Sequence, residues 1–447
     1  MILEPDIESM PRDRMRALQT TRLREIARET AASVPFYADR LAGAGVSPDG
    51  LTLEDLPRIL LTTKDDLRDH YPFGLFACPR EEVRRIHASS GTTGKPTVVG
   101  YTRSDIDVFA LVNARCLAMG GAQPGMMLHN AYGYGLFTGG LGLHYGGERL
   151  GMAVVPVSGG MTERQVTLIT DFRPEVICCT PSYALTLAQE FAARGIPPEE
   201  ISLRYALCGA EPWTDAMRDE IDAGLGVTTT NIYGLSEIIG PGVSNECAEE
   251  RNGSHVNEDH FLPEIVDPET GEVLPEGREG VLVLTTLTKQ ALPLLRYSTR
   301  DICSLSYGEC PCGRTLVRMS QIRGRSDDML IVRGVNVYPS QVEIVLGTFA
   351  EMTPHYRIVL SRDGHLDAAE VEAEVSETLF QRVGAEILDD DIIQAHEDLR
   401  SLRERISSRL KESLGVSMKV TLKAPRSVPR SEGGKLKRVE DRRHLPR

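Results

Sequence analysis

No apolar run in this chain approaches the roughly 20 residues that a membrane-spanning helix needs. The opening MILEPDIESMPRDRMR carries acids where a secretory signal carries a basic and then an apolar segment, so a cytoplasmic location is expected. Cysteine is sparse as well. Nine thiols in 447 residues do not make a disulfide scaffold, and Cys178, Cys179 and Cys208 lie inside apolar, strand-like runs where a thiol serves as a small core side chain. Positive charge is in short supply: a formal net charge of -14 argues against the broad basic face that nucleic-acid binding requires. No internal repeat or low-complexity tract is present. What remains, 41% hydrophobic and 26% charged residues over a length greater than one core usually organises, describes a soluble globular protein of two or more domains.

Residues 12–72 read as helices joined by polar loops, as in RMRALQTTRLREIARETAASV. From about residue 100 to 240 the pattern alternates. Strand-like MAVVPV, EVICCT, YALCGA and TTTNIYG are separated by helical TERQVTLITDF and SYALTLAQEFAARG, the pattern of β-α-β units around a largely parallel sheet. Ligands on such sheets bind at the carboxyl ends of strands, which draws attention to LCGAEPW and IYGLSE. Between 262 and 334 the character turns to β, with REGVLVLTTLT and DDMLIVRGVNVYP as strong strands. After GRSDD, helix-like PSQVEIVLGTF, strand-like HYRIVLSRDG and the amphipathic DLRSLRERISSRLKESLG suffice for a separate small α+β domain, with the boundary between Gly324 and Asp328. The last 27 residues hold nine Lys or Arg against three acids, commonly a solvated end, or an element that approaches a polyanion.

The stretch HASSGTTGKPT, His87 to Thr97, has the hydroxyls, glycines and lysine of a phosphate cradle. It fails the Walker A spacing, because Gly91 stands only three before Gly94 and Lys95 runs into Pro96. On composition alone a phosphate cradle and a flexible polar turn weigh equally.

Taken in order with GAEPW, YGLSE, RYSTRD, GRSDDMLIVRGVNVYPSQVE and PRSEGGKLKR, the stretch resembles the adenylate-forming acyl-CoA synthetase superfamily, and within it the phenylacetate-CoA ligases. The resemblance runs from about residue 20 to the end. It implies an α/β fold with a large multi-layer N-terminal domain of mixed sheets, residues 1–325, and a small mobile α+β C-terminal domain, residues 326–447. It further implies a two-step reaction: a carboxylate attacks the α-phosphate of ATP to give an acyl-adenylate and pyrophosphate, and the thiol of CoA then displaces AMP. By this resemblance Ser90, Gly91, Thr92, Thr93, Gly94 and Lys95 cradle the departing phosphates, and Glu237 holds Mg2+. Gly209, Ala210, Glu211, Asn231, Ile232, Tyr233, Gly234 and Ser236 line the nucleotide, Asp301 takes the ribose hydroxyls and Arg325 lies beside it. Taken without the family, Asp301 would pair with Arg296 or Arg300. Lys435 is the expected adenylation lysine, with an extra glycine before it that leaves its register against Lys437 open, and Asp327 is the expected hinge.

Tyr132, Tyr134 and Phe137 of HNAYGYGLFTGG are the expected contacts of an aromatic acid. Asn257 and Ser298 stand where the resembled family often carries Trp and Arg, and are read as changes that adapt the pocket to its acid. Cys247, His255, Cys310 and Cys312 have the ligand types of a tetrahedral Zn2+ site, which the resemblance makes structural, with Cys303 as a spare. ATP, Mg2+, CoA and a structural Zn2+ are thus the expected cofactors and cosubstrates, a homodimer the expected assembly. Competing readings keep the adenylate but pass it to a carrier-protein thiol or an amine, activate an oxyacid such as nitrite, or make the chain a non-catalytic nucleotide-binding scaffold.

Overall fold

The computed structural model describes residues 1–88, 96–326, 330–332, 335–363, 366–384, 388–429 and 438–443. Strands β1 (Arg85–Ala88) and β2 (Val98–Tyr101) pair as an antiparallel hairpin with Ala88 opposite Val98, so the polar stretch that begins at His87 joins two paired strands. Then follow β3 (Met127–Asn130), β4 (Ala153–Val155), β5 (Val176–Cys179), β6 (Tyr205–Gly209), β7 (Thr228–Leu235), β8 (Ile239–Glu246), β9 (Ser254–Val256), β10 (Phe261–Val266), β11 (Gly280–Thr286), β12 (Tyr297–Cys303), β13 (Leu305–Ser306), β14 (Arg318–Met319) and β15 (Gly324–Arg325).

A nine-stranded sheet has the order β13-β14-β9-β8-β7-β6-β5-β3-β4. From β4 to β7 it is parallel, and from β7 onward antiparallel. The parallel half is where helices alternate with strands, and β5 is buried at every residue, as a strand covered by helices on both faces must be. Three of those helices start on side-chain caps. The hydroxyls of Thr102, Thr180 and Thr214 accept backbone N–H groups at the starts of Arg103–Met119, Pro181–Ala193 and Asp215–Leu225. A second, antiparallel sheet, β10-β11-β12-β15, carries the expected β-rich region.

Beyond it come β16 (Leu330–Val332), β17 (Val335–Val337), β18 (Met352–Asp363), β19 (Leu366–Val375), β20 (Lys419–Lys423) and β21 (Val439–Asp441). The last four form one sheet in the order β20-β19-β18-β21, backed by the helix Glu397–Leu414, whose Leu399, Leu402, Ile406 and Leu410 are buried. Its apolar cluster, from Val332 to Leu422, shares no member with the clusters of the earlier residues. The chain thus has a large mixed α/β N-terminal part and a small α+β C-terminal part. Among the described residues no helix is long and apolar enough to cross a membrane.

A buried ionic spine ties the N-terminal helices to the large sheet. Arg115 forks onto Asp259 at 2.8 and 3.2 Å and reaches Glu4, while Arg12 and Gln19 hold Glu258. Asn257 belongs to this spine: its amide donates to the Gly242 carbonyl at 2.9 Å and its oxygen faces Arg115. Burial raises the Asp259 carboxyl, but His260, Arg115 and Arg22 outweigh it and bring the pKa from 3.8 to about 2. His260 is pushed by burial from 6.5 to about 4, against the attraction of Asp259. In both cases the folded chain binds fewer protons than the unfolded one, so stability falls with pH, from about 6.5 to 4 through His260 and from about 3.8 to 2 through Asp259. The expected outcome is a melting temperature that declines on acidification below pH 6.5, with His260→Gln flattening the upper part of the decline in a calorimetric pH series.

Candidate active site

Two strand ends meet at the carboxyl edge of the parallel sheet. In the β6–β7 register Cys208 faces Asn231 and Gly209 faces Ile232, which sets the turn Gly209-Ala210-Glu211 beside Asn231-Ile232-Tyr233. The approach is tight: a Cβ on Gly209 would lie 2.1 Å from the Ile232 carbonyl oxygen, so only glycine fits. The chain then turns through Ala210, which holds a left-handed φ of 71°. Glu211 does not hang free. Its Oε1 accepts the Ser182 N–H at 2.7 Å, in the first turn of the helix Pro181–Ala193, where a negative charge is favoured. Asn231 is braced in turn: its Oδ1 accepts Trp213 Nε1–H at 3.2 Å and its N–H donates to Glu246 at 2.8 Å, with Arg218 closing on Glu246 at 3.1 Å.

Asp301 sits in β12 opposite Arg325 in β15. Its Oδ2 accepts the Tyr233 hydroxyl at 2.6 Å and its Oδ1 accepts Arg325 Nη1–H at 3.1 Å. The alternative partners lie elsewhere, since Arg296 pairs with Glu264 at 3.1 Å and Arg300 reaches Asp65 at 3.4 Å. Tyr233, expected at the base, thus holds the candidate ribose acceptor.

Past Gly234, near the end of β7, the chain doubles back through Ser236 and Glu237 into β8. The Glu237 carboxylate is only 6% exposed and lies 3.8 Å from the Lys64 ammonium. Next to it, the Ser236 and Thr138 hydroxyls are 3.4 Å apart. This donor set, one carboxylate and hydroxyls with no sulfur or imidazole, suits a hard ion such as Mg2+, which takes one or two carboxylates and keeps several waters. Behind it Lys289, whose pKa burial lowers to about 8, donates to the backbone carbonyls of Glu237 at 3.0 Å and Ile238 at 2.7 Å.

The aromatic stretch follows β3. Asn130 donates to the Tyr134 hydroxyl and to the Gly140 carbonyl, both at 2.7 Å, and so folds the segment back on itself. Tyr132 is buried, Tyr134 half-buried, and Phe137 lies 42% exposed against Gly139. The structure therefore gathers Tyr132 and Tyr134 and leaves Phe137 at the surface. The Leu136 carbonyl accepts both Ala88 N–H and His87 Nδ1–H, joining this segment to the β1–β2 hairpin. Ser298 sits within β12, its N–H bonded to the Thr62 carbonyl. Ser90, Gly91, Thr92, Thr93, Gly94, Lys95, Asp327 and Lys435 lie outside the described residues.

Away from this edge, the four expected metal ligands converge. The donor atoms of Cys247, His255, Cys310 and Cys312 all lie within 4.8 Å of one another, with Cys247 and Cys310 Sγ at 3.8 Å and Cys312 Sγ to His255 Nε2 at 3.5 Å. A tetrahedron with Zn–S bonds of about 2.3 Å has edges of about 3.8 Å, so the set fits Zn2+ and closes all four positions. The Cys312 thiol is drawn below its ordinary value by its contact with Cys247, while Cys247 is raised by the same contact and Cys310 by burial. Cys303 lies in β12, apart from the four. The N-terminal segment packs on this knuckle: Arg314 donates to Glu8 at 2.7 Å and to the Met1 carbonyl.

Sequence reasoning missed Lys64, Ser182, Trp213 and Lys289. Of these only Lys289 leaves a trace, as the one charged residue inside VLVLTTLTKQALPLL.

Residues 18–287 match the family model of the AMP-binding enzyme, and residues 334–443 that of the AMP-binding enzyme C-terminal domain. The sequence is 66% identical over 444 residues to the phenylacetate-coenzyme A ligase of Thermus thermophilus, covering 99% of this chain and 100% of that one. It is 49% identical over 445 residues to the phenylacetate-coenzyme A ligase of Escherichia coli, covering 99% and 98%. Among solved structures, 2-hydroxyisobutyryl-CoA ligase in the postadenylation state, in complex with 2-HIB-AMP, superposes with a TM-score of 0.88 at 29% identity, over 98% of this chain and 91% of that one. The same enzyme in its thioesterification state superposes at 0.71, with 98% and 92% covered, so the chain has the shape of the former state more nearly than that of the latter. The chain belongs to the phenylacetate-CoA ligase family of AMP-binding, adenylate-forming enzymes, the AMP-forming acid–CoA ligases.

Proposed function

We propose that the protein activates an arylacetic acid, phenylacetate or a close relative, with ATP and transfers the acyl group to CoA. The observation that carries this reading is the end-to-end 66% identity with a phenylacetate-coenzyme A ligase. Relatives named for a CoA product favour CoA over a carrier-protein thiol, an amine or nitrite as the second reactant. In the first step an oxygen of the acid bonds to the α-phosphorus of ATP as the bond to the β-phosphate breaks and pyrophosphate leaves. In the second, the CoA sulfur bonds to the acyl carbon and AMP leaves.

The chain's own residues divide this work. Two anions must meet, so orientation and charge compensation dominate the barrier. Asp301, held by Tyr233 and Arg325, offers acceptors to the ribose hydroxyls. The turn at Gly209 lets the backbone approach the flat adenine, and Asn231 stays fixed there by Trp213. Tyr132 and Tyr134 provide the aromatic wall for the acid. Glu237 would hold Mg2+, which when bound supplies positive charge to the phosphates. Residues 90–95 and Lys435 carry the phosphate and adenylation roles by resemblance, and the division into lobes 1–325 and 326–447, with Asp327 as hinge, supports a swing between the two steps. Free cysteines and the use of ATP and CoA favour the cytoplasm.

Pyrophosphate release measured across a panel of acids should respond most strongly to phenylacetate, with a CoA thioester found by mass spectrometry; adenylate without thioester would refute the reading. Lys435→Ala should abolish pyrophosphate release while thioester formation from preformed acyl-AMP persists. Tyr233→Phe removes one bond to the Asp301 carboxylate, and a KM for ATP raised roughly tenfold is expected from the loss of a hydrogen bond to a charged group.

The cysteine–histidine cluster would hold one structural Zn2+. Elemental analysis should find one zinc per chain, and Cys310→Ser should lose it. Chelation should lower the melting temperature without altering the KM for ATP.

A further inference from the structure

Lys289 has no role in the reaction scheme above, yet it is among the most confined cations of the molecule. Its side chain is 2% exposed. The ammonium donates to two successive carbonyls, Glu237 at 3.0 Å and Ile238 at 2.7 Å, and sits 4.8 Å from the centroid of the Tyr101 ring. Tyr101 is the last residue of β2, the strand that leads out of the phosphate-loop hairpin, and its ring also takes the edge of His87 from β1 at 5.6 Å. The backbone next to Lys289 is itself pinned, because Asp105 accepts the N–H groups of Gln290 at 2.7 Å and Ala291 at 2.9 Å. Asp105 in turn closes the capping box of the helix Arg103–Met119.

A lysine buried to this degree forgoes its hydration, and a single surface contact would not offset that. Three contacts converge on it here. Two go to the turn that carries Glu237, and the third, a cation–π contact, goes to the strand that carries the phosphate loop. We propose that Lys289 is a positioning residue for adenylation, which ties the Glu237 turn to Tyr101 of β2 so that the Glu237 carboxylate meets Mg2+·ATP in one fixed geometry. The proposal rests on the reading of Glu237 as the magnesium-binding carboxylate. It concerns the first step alone, since the transfer from acyl-adenylate to CoA involves neither pyrophosphate nor its metal.

The test uses the full chain carrying Lys289→Met, which keeps length and apolar volume but removes the donors and the charge. Pyrophosphate release should fall about 10²-fold, as misplacement of the reacting groups by about 1 Å does. The Mg2+ concentration at half-maximal rate should rise about tenfold, that being one decade of affinity or 1.4 kcal/mol. Thioester formation from preformed acyl-AMP and CoA should stay close to wild type. Binding of Mn2+ together with a non-hydrolysable ATP analogue, followed by electron paramagnetic resonance, should weaken in parallel without any turnover. Equal loss of both half-reactions, or unchanged adenylation and Mn2+ binding, would overturn the proposal. Should Lys289→Met fail to fold, Lys289→Arg decides in its place: it keeps the charge but cannot set one nitrogen between two carbonyls over the ring, so selective loss of adenylation supports the proposal and an unchanged rate overturns it. Failure of the wild-type protein to release pyrophosphate with any acid would instead refute the proposed function. Unaltered Mg2+ dependence in Glu237→Gln would refute the metal reading alone.

Discussion

An acidic chain that binds ATP and a carboxylate must keep its own negative charges from repelling both, and the structure around the parallel sheet is arranged about that constraint. Among the described residues, four acids at the candidate site each have a partner. Asp301 is held by Tyr233 and Arg325, Glu211 by the Ser182 amide at a helix start, and Glu246 by Arg218. Glu237 lies by Lys64 with Lys289 at its backbone. Partners of this kind fix where each carboxylate points, which is the form of preorganisation that lets a site stabilise developing charge without rearranging first.

The same constraint explains the hierarchy of the fold. The parallel strands bring Gly209 and Ile232 into close register, and Glu237 lies in the turn from β7 into the antiparallel β8. Behind these the Arg115–Asp259 spine and the cysteine–histidine knuckle hold the N-terminal helices on the large sheet, far from the strand ends. The C-terminal part has an apolar core of its own.

The alternating pattern from residue 100 to 240 was readable because helix and strand periods are local properties, and the loops at strand ends followed from them. EVICCT and YALCGA became β5 and β6, and the aromatic and glycine-rich turns fell at the carboxyl edge. The cysteines and histidine were readable as a donor set by type, although 64 residues lie between Cys247 and Cys312 and it is the β9–β14 pairing that brings their neighbourhood together. Asn257 was not readable. As one position in HVNEDHF it looked like part of a substrate pocket, but its amide is held by Gly242 and Arg115 within the ionic spine. Trp213 was no more legible, because nothing in GAEPW says that its indole N–H turns to Asn231.

By itself, then, the sequence determined the family, the order of elements, the chemical kinds of the site residues and the acidity that the site must manage, because all of these depend on residue type and local spacing. Tertiary structure decided the partners. Whether Asp301 meets Arg296, Arg300 or Arg325 depends on the β12–β15 register, and whether Lys289 is an exposed lysine or a buried tie between β2 and the turn at Glu237 depends on Tyr101 and Glu237 arriving at it from distant parts of the chain. Long-range pairing of strands is what converts types into contacts, and no local pattern encodes it.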